Sequence, residues 1–149
     1  RMFVCGAPRL LSSGANVVPC HVRSNDERVL VEAYPALAAR KGIGSRSYKH
    51  DTAALQTRQR TEARRALVAA LMSGRLTRYY HFEVSLPPAL ADTMVNDGAG
   101  DWLDAFLCSI QAAWAYSERE RNYGMPDDVD ALEGWIADPA LIGEEAEAA

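Results

Sequence analysis

The chain has 149 residues, a formal net charge of −4, 48% apolar and 24% charged side chains, which suits one domain with a packed core and excludes disorder throughout. No run reaches the ~18 apolar residues of a membrane span, and the first residues do not read as a basic-then-apolar leader, so the expectation is a cytoplasmic protein with no membrane partner. Cys5, Cys20 and Cys108 share no Cys-x-x-Cys spacing, and His21, His50 and His81 form no His-x-x-x-His pair, which argues against a structural zinc site.

Residues 1–27 carry Pro8, Gly14 and Pro19 without a sustained period and read as an irregular segment, with short extended pieces at Met2 to Cys5 and Val17-Val18. Arg28 to Tyr34 is a β-branched apolar run stopped by Pro35 and predicts a strand buried on both faces. Glu32 stands out there, because a carboxylate on such a strand is costly to desolvate unless it meets solvent, an arginine or a cation. Pro35 starts a short helix, Ala36 to Lys41, which Gly42 ends.

The loop from Gly42 to His50 interleaves small residues with Arg46, Lys49 and Tyr48. Asp51 or Thr52 then caps a long helix reaching Met72, with Arg58, Arg60, Arg64 and Arg65 in its first half. Arg78 to Leu86, rich in aromatic and β-branched residues, predicts a second strand stopped by Pro87-Pro88. A short helix follows from Pro88 to Val95.

Asp101 to Ser117 is the strongest helix in the chain, since Leu103, Phe106, Leu107, Ile110, Ala113 and Trp114 recur at helical spacing. Asp101 and Asp104 lie three apart in its first turn, where the helix dipole favours negative charge. Capping alone explains such a pair without any chemistry. Asp127 to Ile136 predicts a short docking helix bearing Leu132, Trp135 and Ile136, and residues 138–149 predict an acidic tail.

Charge divides along the chain. Between Arg40 and Arg65 eight Lys or Arg stand against Asp51 and Glu62, whereas Leu86 to Ala149 holds fourteen Asp or Glu against Arg119 and Arg121. Such polarity is ordinary solvated surface, and it also suits a protein that grips phosphates with one element and holds a cation with another.

Three stretches in order, Val-Leu-Val-Glu32-Ala-Tyr-Pro, Arg46-Ser-Tyr-Lys49 leading into the Arg-rich helix, and Gly100-Asp101-Trp-Leu-Asp104-Ala-Phe, resemble the bacterial and archaeal family of predicted nucleases with an RNase H-like fold. More distantly they resemble RuvC-type Holliday-junction resolvases. Glu133-Gly-Trp-Ile136 adds to the likeness, which spans about Arg28 to Ile136. The resemblance implies an α/β, RNase H-like domain over residues 28–137 and a metal-dependent nuclease acting on DNA or RNA. It implies Glu32, Asp101 and Asp104 as catalytic ligands of Mg²⁺ or Mn²⁺, and Arg46, Lys49, Arg58, Arg64 and Arg65 as nucleic-acid-binding residues.

The RNase H-like pattern opens with a three-stranded meander, a helix and an essential first-strand Asp, which need about 50 residues; 27 precede Arg28. The expected domain therefore lacks its N-terminal strands. The alternative function is a non-catalytic nucleic-acid-binding, scaffold or oligomerisation module, in which Glu32 pairs with a cation and an unpaired sheet edge allows a homo-oligomer.

Overall fold

In a computed structural model, residues 2–23 and 25–142 are described. Six α-helices and a small sheet follow in the order α1 (Met2–Ser12), β1 (Asn16–Val17), β2 (Val29–Leu30), α2 (Pro35–Ile43), α3 (Arg58–Met72), α4 (Thr77–Tyr80), α5 (Pro88–Asn96) and α6 (Asp101–Ser117), with 3₁₀ turns at Ala53–Leu55, Arg119–Gly124 and Pro139–Leu141. Helix and sheet are mixed, as an α/β domain requires.

β1 and β2 pair in parallel, with Asn16 opposite Val29 and Val17 opposite Leu30. Glu32 forms a parallel bridge to Ile136, closed by the Ala137 amide donating to the Glu32 carbonyl at 2.8 Å. The extended part of the predicted Arg28 to Tyr34 strand is thus short, and Val29 and Leu30 are only half-buried rather than buried on both faces.

The core lies among the helices. α2 packs against α3 and α6, and α3 against α5, burying Ala38, Ile43, Leu67, Leu71, Met94, Leu103, Leu107 and Trp114 together. Gly42 permits the α2–α3 approach: a Cβ there would stand 2.9 Å from Leu67 Cδ1. Proline opens both α2 and α5, as its fixed φ and missing N–H favour at a first turn.

Several expectations are corrected. Residues 2–12 form a helix with Pro8 inside it, where the proline forfeits one helical hydrogen bond. Because β1 joins β2, residues 1–27 are not an irregular segment apart from the domain. The long helix starts at Arg58, capped by Thr57, whose side chain accepts from the Arg60 amide at 3.2 Å; Ala53–Leu55 is a separate 3₁₀ turn.

No strand forms over the predicted Arg78 to Leu86: Thr77–Tyr80 is one helical turn closed by His81 in the left-handed region (φ 61°), and residues 82–86 have no regular structure. The segment's aromatic side chains pack against helices, Tyr80 being fully buried, so packing rather than pairing accounts for its apolar pattern. Residues 127–136 form turns, not a docking helix. The Asp130 side chain accepts from the Leu132 amide, Gly134 takes φ +81°, and Leu132 is 94% exposed. Asp138 is fully buried, so no tail begins there. Residues 143–149, which hold the rest of the predicted tail, lie outside the described residues.

Candidate site at the head of helix α6

Gly100 delivers the chain to α6 in the left-handed conformation (φ 78°), and a Cβ on it would stand 2.8 Å from Lys49 Cβ. Glycine is therefore needed twice over, for its torsion and for the closeness of the 46–50 loop. Neither Asp101 nor Asp104 caps the helix. Asp97 does so from outside, its Oδ2 accepting from the Trp102 amide at 3.0 Å.

The Asp104 carboxylate accepts from the Tyr48 hydroxyl at 2.5 Å and pairs with the Lys49 ammonium. The side chains of Asp104 and Lys49 remain 22% and 40% exposed, so solvent screens the pair and ligands can reach it. The hydrogen bond to Asp104 raises the Lys49 pKa, burial opposes this, and the charges of Asp104, Asp51 and Asp101 add to the rise. Burial, then the Asp104 carboxylate, pushes the Tyr48 phenol well above its ordinary value. Cys108, one turn along α6, is pushed up by burial and Asp104, with Lys49 opposing.

Buried side chains fix the loop that carries Tyr48 and Lys49. Arg64 is only 4% exposed; its guanidinium donates to the Tyr48 and Val95 carbonyls, each at 2.8 Å, and to Thr61 Oγ1 at 3.1 Å. Gln56 Nε2 bonds the Gly98 carbonyl at 2.7 Å and also that of His50. Arg64 therefore belongs to the interior, and its predicted place on a nucleic-acid surface is corrected: helix periodicity turns it inward while Arg58 and Arg65 stay exposed. Arg58 pairs with Glu62 at 2.8 Å. Exposed Arg46 and half-buried Arg60 line a cleft of about 410 Å³ with Ser47 and Thr57.

Glu32 is exposed, and its carboxylate lies beside Gly134 and Cys20. Asp101 is exposed and takes no hydrogen bond from the described residues, and Asp104 is engaged by Lys49 and Tyr48. Among the described residues no group of three or more His, Cys, Asp or Glu is placed to hold a metal ion. As they stand, Glu32, Asp101 and Asp104 do not fit a two-cation centre.

A second polar cluster was not foreseen. Asp138 accepts from the hydroxyl of Tyr80 and from Gln111 Nε2, each at 2.7 Å, and from the Ala140 amide at 2.9 Å, and pairs with Lys41. Burial pushes its carboxyl up, but the bonds from Lys41, Tyr80, Ala140 and Gln111 more than offset this and hold it below the usual carboxylate range. The available signal was Gln111, a lone amide on the apolar stripe of α6 that had to find a partner.

Together these features define a mixed α/β domain whose accessible charged cluster sits at a helix head. The family model described as "Protein of unknown function (DUF429)" matches residues 10–131, and the chain belongs to that family. No curated protein and no solved structure matches it. Among the described residues, no helix is long and apolar enough to cross a membrane.

Proposed function

We propose that this chain is a nuclease-type domain directed at nucleic-acid phosphodiester bonds, with an RNase H-like ancestry and with Asp104 as its principal acidic group. The observation that carries this reading is the accessible Tyr48–Asp104–Lys49 cluster, with Asp51 and Asp101 acting on the same ammonium. An ammonium aimed at a phosphoryl oxygen offsets charge that develops during phosphoryl transfer, and a carboxylate beside it orients a water. The parallel β1–β2 pair, with Glu32 just beyond β2 bridged in parallel to Ile136, supports the ancestry.

The resemblance implies Mg²⁺ or Mn²⁺. Because the described carboxylates do not fit a two-cation centre, no step is routed through an ion. A second reading, a nucleic-acid-binding module without hydrolysis, is favoured by one observation: Lys49 already neutralises Asp104. Exposed Arg46, Arg58 and Arg65 would then track the backbone.

The test incubates the purified chain and its Asp104→Asn variant with fluorescent single-stranded DNA, duplex DNA and RNA, with and without Mn²⁺. The expected outcome is cleavage that the variant loses while keeping its fold. Salt-dependent binding without cleavage would select the second reading. Neither binding nor cleavage would overturn both.

A further inference from the structure

From Ala105 to Ser117 α6 carries no charged residue, yet one side of it is open to solvent. Trp102 is 55% and Tyr116 65% exposed, and Ala105, Ser109, Ala112 and Ala113 between them are exposed as well, with Phe106 half-buried. Residues seven apart lie two turns apart on one face of a helix, so Trp102, Ser109 and Tyr116 form a line.

The pattern is nearly palindromic about Ser109. Aromatic residues stand seven positions to each side, alanines four positions to each side at Ala105 and Ala113, and Phe106 stands opposite Ala112 three positions away. A two-fold interface requires the same patch on both subunits, with each residue meeting its mirror position. Antiparallel apposition of two copies of α6 satisfies this: Trp102 meets Tyr116, Ala105 meets Ala113, Phe106 fits over Ala112, and Ser109 meets Ser109 on the axis.

The charges at the ends favour this pairing over the parallel one. Asp101 is exposed, and the far end of the helix is charge-balanced: Arg119, which stacks over the Tyr116 ring at 4.7 Å, also pairs with Glu120 at 3.6 Å, and Arg121 pairs with Glu118. Antiparallel pairing brings the Asp101 of each copy to this balanced end of the other, whereas parallel pairing would set Asp101 beside Asp101. We propose that α6 is a homodimerisation face, and that its occupant is the α6 of a second copy of this chain. This rests on the exposed face alone and not on the functional reading, since Asp104 leaves α6 in another direction. A single helix pair falls below the roughly 800 Å² per partner of a standard interface, so the dimer is a weak one.

Sedimentation equilibrium over a wide concentration series is expected to show a reversible monomer–dimer equilibrium for the wild-type chain. Ser109→Glu, which places like charges together on the axis, should weaken it by about tenfold or more. Ser109 is exposed, so the variant should fold, as circular dichroism can check. Trp102→Ala with Tyr116→Ala should weaken the dimer without adding charge. Under mild oxidation in a Cys5→Ser, Cys20→Ser, Cys108→Ser background, Ser109→Cys should form a disulfide-linked dimer, whereas Ala113→Cys should not, because its Cα atoms lie too far from their mates across the axis.

A wild-type chain that stays monomeric, a dimer indifferent to Ser109→Glu, or equal cross-linking at both cysteines would overturn the proposal. In the first case the face is free or belongs to another partner. In the last the helices pair in parallel.

Discussion

The protein contains two lysine–aspartate pairs built on one plan and set in opposite surroundings. In each, the carboxylate accepts from a tyrosine hydroxyl and pairs with an ammonium: Tyr48, Asp104 and Lys49 at the head of α6, and Tyr80, Asp138 and Lys41 in the interior. Asp138 is fully buried and also takes bonds from Gln111 and the Ala140 amide. Asp104 is partly exposed, with two partners. Identical groups thus serve cohesion where solvent is excluded and remain open to exchange where it is not. Residue type does not separate the roles; the number of partners and the access of water do.

The largest effect expected from breaking this contrast is at Asp138. Asp138→Ala leaves the Lys41 ammonium buried and unpaired, which costs about 3–5 kcal/mol and reads directly in urea denaturation. The same pair gives a pH signature. Because the folded carboxyl of Asp138 is held below the unfolded aspartate value of about 3.9, its stabilisation is fully present above that pH and is lost as pH falls through the lower folded value. Asp138→Asn should therefore flatten the fall in stability below about pH 4, even though it lowers the plateau at neutral pH.

A smaller effect separates the acidic groups at the α6 head. Asp97→Ala removes the cap on Trp102 and should cost about 1 kcal/mol, whereas Asp101→Ala should stay within about 0.5 kcal/mol; thermal denaturation of the pair settles which residue caps. The smallest change in stability is expected from Asp104→Asn, under about 1 kcal/mol given its partial exposure. Its clearer readout is spectroscopic. Losing the Asp104 charge removes one of the two leading causes of the raised Tyr48 pKa, so one phenol should titrate lower in the ultraviolet, though burial keeps it above an ordinary tyrosine.

The helices were legible where local chemistry sufficed. Pro35, Pro88 and the periodic stripe from Leu103 to Trp114 placed α2, α5 and α6 closely. Prediction failed where distant partners decide conformation. Arg78 to Leu86 has the composition of a strand, but Tyr80 is claimed by Asp138, 58 residues away, and the segment curls into a turn. Of the site, Asp104 and Lys49 were both singled out, yet spacing alone could not pair them. Arg64 looked like its exposed neighbours until the 48–50 loop used it as a buried donor. The three-carboxylate expectation grouped Glu32 with the α6 head, whereas among the described residues no such metal-holding group forms and the Glu32 carboxylate lies beside Gly134.

The contact between Lys41 and Asp138 spans 97 residues of chain. Closing so long a loop costs entropy before any contact repays it, so this pair should form after the main folding barrier rather than in its nucleus. Removing it should then leave the refolding rate nearly unchanged and accelerate unfolding. In kinetic terms the segment around Asp138 sets how long the protein lasts once folded, and has little part in how fast it gets there.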